Sequence, residues 1–188
     1  MAATTPDLDE LTWLGAAIYN AQRVEFALYG IAAHLSHLPE AQKERRFREL
    51  TGEKFLRGDP AELKATLGQL VTLFGDRLLI TTPELIAFYE DRNLIAHNYY
   101  RQFQLSRDAA PLGAGREFLE AFTHRADHWV KVLSGLLVEL RTAAAEKEGR
   151  TAELLITPEQ AEQRRAYHQH VAKHLKAKAG VGGSSKPA

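Results

Sequence analysis

An all-α fold follows from three observations. Apolar residues recur at alternating steps of three and four over several long stretches, the spacing that gathers them on one face of an α-helix. No segment alternates apolar and polar residues over a useful length, as a half-buried strand would. Three prolines follow residues that cap helices, in Asp59-Pro60, Thr82-Pro83 and Thr157-Pro158, the chemistry of a helix start.

The elements follow in order. Leu11, Leu14, Ile18, Ala21, Glu25, Leu28, Ala32 and Leu35 predict one long amphipathic helix over residues 8–37, with Glu25 the one charge on its stripe. After Pro39, residues 41–50 predict a short basic helix with Lys43, Arg45, Arg46 and Arg48 around Phe47. Asp59-Pro60 opens a helix ending near Gly75 whose apolar face is Leu63, Leu67, Leu70 and Phe74. Thr81 or Thr82, then Pro83 and Glu84, starts a helix expected to reach Phe103, and residues 106–115 read as a loop. Leu119, Phe122, Ala126, Trp129, Leu133, Leu136, Leu140 and Ala143 predict a second long helix over residues 115–147. Thr157-Pro158-Glu159 caps a last, weaker helix.

The expected architecture is a helical bundle with two long helices, a motif-bearing helix and shorter helices. Residues 1–150 form the bundle, residues 151–179 an accessory helix and residues 180–188 a disordered tail. Stripes this long leave a spare face, which points to a helix-mediated homodimer.

A chain of 188 residues supports one core, and its 45% hydrophobic and 26% charged residues are ordinary for a soluble domain. No apolar run reaches the roughly 18 residues of a membrane span. The N-terminus lacks the basic and apolar regions of a signal peptide, so a cytoplasmic protein is expected. The absence of cysteine excludes disulfides, thiolate metal sites and a cysteine nucleophile. A formal net charge of zero argues against coating nucleic acid through a global basic field. The charge is uneven, however: residues 161–188 hold six bases against one acid.

Arg92-Asn93-Leu94-Ile95-Ala96-His97-Asn98-Tyr99 places polar groups on a helix that otherwise faces a core. Leu85, Phe88, Ile95 and Tyr99 form its apolar stripe, and Arg92 sits in the middle of it. A buried arginine needs a carboxylate, an anion or a cleft open to water, and Glu25 is the matching charge on the first long helix. Asn93 and His97 share a face with Tyr100 alongside. Arg92 and His97, five apart, diverge by about 140° on a regular helix, so their heads meet only through a long reach, a bulge or a second subunit. An imidazole that moves protons near neutral pH and a guanidinium that grips phosphate suffice for metal-free RNA cleavage. The competing reading is a structural histidine, with Arg92 paired to Glu25.

Arg92 through His97 resembles the Arg-(four to six residues)-His signature of HEPN domains, with Asn93 as the polar residue that commonly follows the arginine. That resemblance implies an all-α homodimer, often a metal-independent RNase of toxin–antitoxin or phage-defence systems, with Arg92, Asn93 and His97 from two protomers in one composite cleft. RNA is then the substrate, and neither a cofactor nor a metal is called for. His97-Asn98-Tyr99 is similar to a HEPN toxin subgroup whose nucleotidyltransferase antitoxin adenylylates the tyrosine, which here would be Tyr99. Those toxins lack the last helix and basic tail, and Tyr99 also fits the apolar stripe. The other class in view is a non-catalytic HEPN-like interaction or nucleotide- or phosphate-binding module.

Glu25 either orients Arg92 or His97 or emerges at an exposed point of a curved helix. His124 with His128, and His170 with His174, have the spacing of zinc pairs but no third ligand at motif distance. The basic cluster around Phe47 reads as a solvated face or an RNA phosphate contact.

Overall fold

The computed structural model describes residues 8–36, 38–43, 45, 83–105 and 113–181. They form five α-helices: α1 (Leu8–Leu35), α2 (Pro39–Gln42), α3 (Pro83–His97), α4 (Ala114–Lys147) and α5 (Pro158–Val181). No strand occurs among the described residues, so the protein is the all-α bundle that the spacing predicts. The helix expected to end near Gly75, most of the basic segment, most of the loop at 106–115 and residues 182–188 lie outside the described residues. None of the described helices is long and apolar enough to cross a membrane.

The chain divides into two compact units, Met1–Phe26 with Thr82–Val130 and Ala27–Thr81 with Lys131–Ala188. In the first, α3 buries Leu85, Phe88 and Ile95, followed by Tyr99, as its stripe predicts. Phe88 stacks on Phe122 of α4 with centroids 4.6 Å apart and planes at 10°. Truncating either ring to alanine removes about 3–5 kcal/mol of burial and packing. Arg125 of α4 bonds Asp91 at 2.6 Å on the rim of this contact.

α1 buries Ala21, Leu28, Ala32 and Leu35 of its predicted stripe and departs from it in the first half. Ala17, Ala21 and Val24 are buried, whereas Leu11 and Ile18 are exposed. The helix carries apolar residues on two faces, and the face with small side chains is the one turned inward, where it permits close helix packing.

α3 also ends earlier than expected. Beyond His97 the chain closes one π-helical turn, Tyr100–Gln104, in which the Leu105 amide donates to the Tyr100 carbonyl at 3.2 Å. Such a turn brings residues five apart onto one side, which an α-helix does not do.

In the second unit, α5 starts with the reciprocal cap its sequence predicts. The Gln160 amide donates to Thr157 Oγ1 at 3.2 Å, and the Thr157 amide donates to Gln160 Oε1 at 3.1 Å. Gly135 of α4 lies against the α5 backbone, where an added Cβ would collide with the Gln163 carbonyl and sit 2.8 Å from Tyr167 Cβ. Only glycine allows that approach.

Candidate functional site

Three polar sets lie along α3 and its π turn, all within the first unit. The first centres on Arg92, whose Nε is 2.5 Å from Glu25 Oε1 with the two side chains 22% and 15% exposed. Arg92 Nη1 donates to Asn93 Oδ1 at 3.0 Å, and the guanidinium carbon stands 6.0 Å from the centre of the Tyr89 ring. The half-buried arginine therefore has the carboxylate partner that its place on the stripe requires. Asn93 in turn lines a polar groove with Asn98, Arg101 and Gln102.

The second set centres on His97, which is exposed. With Leu11, Leu14, Ile18, Ala96 and Tyr100 it lines a groove of about 390 Å³ between α1 and α3, within the size range of small-molecule sites. His97 and Tyr100 share this groove as the helical wheel predicts, while Asn93 lines the other one. Arg92 does not line the His97 groove, so one chain does not bring Arg92 and His97 together there.

The third set closes the end of that groove. The Tyr99 hydroxyl donates to Glu10 Oε1 at 2.5 Å, and Gln104 Nε2 donates to the same oxygen at 2.9 Å. Tyr99 and Gln104 are five apart, and the π turn is what lets both reach one carboxylate. Burial first, then the hydrogen bond and charge of Glu10, raise the Tyr99 pKa well above the ordinary phenol value. Gly115 packs against the pair, since a Cβ there would meet the Tyr99 hydroxyl and stand 2.7 Å from Glu10 Oε1. Tyr99, the residue that the subgroup resemblance nominates for adenylylation, keeps its hydroxyl inside this cluster. Tyr100 is the exposed tyrosine of the groove.

Sequence reasoning missed Glu10, Gln104 and Tyr89. Glu10 lies in the first turn of α1, where an acid is explained by the helix dipole alone. Gln104 carries no signal, because its position depends on the π turn. Tyr89 is one step off the stripe. The rings of His170 and His174 stand 4.4 Å apart, and Trp13 lies 6.5 Å from His124.

In comparison with known proteins, the chain matches no family model, no curated protein and no solved structure.

Proposed function

We propose that this chain is a metal-independent endoribonuclease of HEPN type, acting as a homodimer in a toxin or phage-defence setting. The observation that carries the reading is the state of Arg92. It is held through Nε by Glu25 and through Nη1 by Asn93, which leaves Nη2 uncommitted among the described residues, on the same helix as an exposed His97. A guanidinium fixed in this way keeps one prong for a phosphate oxygen and loses little freedom when it binds.

In the reaction, His97 takes the proton of an RNA 2′-hydroxyl, and the 2′-oxygen attacks the adjacent phosphorus. The bond to the 5′-oxygen breaks as that oxygen gains a proton, leaving a 2′,3′-cyclic phosphate and a 5′-hydroxyl. Arg92 stabilises the charge that develops on the phosphoryl oxygens, Glu25 and Asn93 position Arg92, and DNA is spared because it lacks the nucleophile. The Asn93 groove offers donors from Asn98, Arg101 and Gln102 beside the Glu90 carboxylate, and in this reading those donors hold the single strand.

The test is incubation of the pure protein with single-stranded RNA in chelator. Cleavage should fall at least roughly a hundredfold in His97→Ala with helicity unchanged. Mixing inactive Arg92→Ala and His97→Ala chains should restore about a quarter of wild-type activity, because half the dimers are mixed and each rebuilds one of two sites. Failure of both would remove the enzyme. The half-buried Arg92–Glu25 pair itself favours a second reading, a HEPN-like module in which Arg92 is neutralised for structure. That reading predicts no cleavage of any RNA and a large loss of stability in Glu25→Gln.

A further inference from the structure

Between Leu11 and Phe26 the exposed face of α1 is spaced symmetrically, with Leu8 extending it by one turn at the N-terminal end. Leu11, Gly15, Ile18, Tyr19, Gln22 and Phe26 are all exposed, and they follow one another at steps of four, three, one, three and four. The spacing reads the same in either direction about a point between Ile18 and Tyr19. Large apolar residues hold both ends and the centre, and the two positions between them are Gly15 and Gln22. At about 100° per residue the six cover an arc of about 100° on the helix, and no charged residue of α1 up to Phe26 falls inside it.

A twofold contact requires a surface complementary to itself. Two such helices laid antiparallel about that point set Leu11 against Phe26 and Ile18 against Tyr19, so every large apolar residue of the stripe between Leu11 and Phe26 meets another. The remaining pair, Gly15 against Gln22, is complementary in shape and occurs twice. A Cβ added at Gly15 would touch nothing within 4 Å, so the space over the glycine is open and can take the longer Gln22 side chain. A single polar position within an apolar seam also favours one register over its neighbours. Moving the centre to Gly15 would leave Phe26 facing residue 4, ahead of the start of α1.

The exposed side chains supply the larger part of the area of a stable interface. Tyr19 is 64% exposed, Phe26 61% and Tyr100, which borders the stripe in the His97 groove, 55%. At about 200 Å² per aromatic side chain these three offer roughly 350 Å². Leu11, Ile18 and Gln22 carry the face toward the ~800 Å² per partner of a stable interface.

We propose that this face of α1 docks antiparallel on the same face of a second copy of the chain, with the twofold axis passing between Ile18 and Tyr19. The docking stands on the stripe alone; its consequence for catalysis rests on the ribonuclease reading. The twofold counterpart of Glu25 is Thr12, which lies between Leu11 and Leu14 in the stretch that lines the His97 groove. An axis of this kind keeps the two α3 helices on one side of the α1 pair. Glu25 of the second copy, with the Arg92 it holds, therefore arrives level with His97 of the first. Two equivalent clefts result, each made from one His97 and the other copy's Arg92.

The natural absence of cysteine makes the register directly measurable. Under oxidation, a mixture of Gly15→Cys and Gln22→Cys chains should form a disulfide dimer, while neither variant alone should. Identical positions would stand about 10 Å apart along the helix axis, beyond the reach of a disulfide. Ile18→Asp, at an exposed position, should leave helicity intact and weaken the dimer at least a hundredfold, shifting the sedimenting mass from two chains to one. Self-coupling of Gly15→Cys, no coupling in the mixture, or a wild-type protein that sediments as one chain at ~100 µM would each overturn the docking. Coupling in the mixture without rescue between Arg92→Ala and His97→Ala chains would uphold the docking and reject the shared cleft, and absence of any His97-dependent cleavage as well would reject the ribonuclease reading.

Discussion

Among the described residues two arginine–glutamate pairs join helices, and they differ in the partners that the guanidinium nitrogens meet. In the second unit, Arg164 gives Nε and Nη2 to the two oxygens of Glu139 at 2.6 and 3.1 Å, and His168 Nε2 lies 2.5 Å from Glu139 Oε1. The hydrogen bond from Arg164 is the main cause holding the Glu139 carboxyl below the ordinary carboxylate range. In the first unit, Arg92 Nε stands 2.5 Å from Glu25 Oε1, and its Nη1 donates to the neighbouring Asn93. A fork engaged on both prongs is a clasp between α4 and α5. Arg92 also engages two nitrogens, but it divides them between a carboxylate on α1 and the neutral amide of the adjacent Asn93. The same two residue types thus serve packing in one unit and a candidate site in the other.

The largest separation between the pairs should appear in RNA cleavage. Arg92→Ala removes the phosphate-facing group and should cost a hundredfold or more, on the order of 3 kcal/mol of transition-state stabilisation. Arg164→Ala should leave cleavage unchanged and lower only stability. Matched single-turnover rates and thermal melts of the two variants decide the matter, and equal cleavage in both would erase the distinction. Glu25→Gln comes next. It keeps an acceptor for Arg92 while removing the charge, so a loss of about tenfold in rate should accompany a stability change under about 1 kcal/mol. Equal losses in both would make Glu25 a packing residue.

Much of this comparison was legible from spacing. The stripe Leu85, Phe88, Ile95 and Tyr99 is buried as predicted, because 3.6-residue periodicity survives wherever large side chains line one face. Glu25 was the one charge on the first stripe, and it meets Arg92. α1 was harder to read. In its first half the buried apolar residues are Ala17, Ala21 and Val24, and alanines weigh little against the exposed Leu11, Ile18 and Phe26. The Glu10 cluster was illegible, because a wheel drawn at 100° per residue separates Tyr99 from Gln104 and a π turn reunites them. The divergence of Arg92 and His97 was legible from the wheel, which sets them about 140° apart, and Arg92 does not line the His97 groove.

Smaller effects separate the two units by pH. A carboxyl with a lowered native pKa, such as Glu139, contributes stability that is present above its ordinary value of 4.5 and is lost as pH falls through the lowered one. Glu139→Gln should therefore cost about 1–2 kcal/mol near neutrality, after allowance for partial exposure, and flatten the acid limb of the stability curve. Tyr99 has the opposite sign. Its raised pKa means a contribution that is full below 10.0, the ordinary phenol value, and declines as pH rises toward the native one. Tyr99→Phe should cost about 1 kcal/mol, a fall of roughly 2–4 °C in Tm, and reduce the alkaline decline without touching the acid limb. Tyr167, whose pKa burial also raises, will keep part of the alkaline decline in the second unit. Because the Glu139 charge also helps raise the Tyr167 pKa, Glu139→Gln should trim that part of the alkaline decline too, whereas an acid limb flattened by Tyr99→Phe would show that the two clusters do not act separately. The Glu10 latch would then stabilise the Arg164 clasp as well as the end of the motif helix.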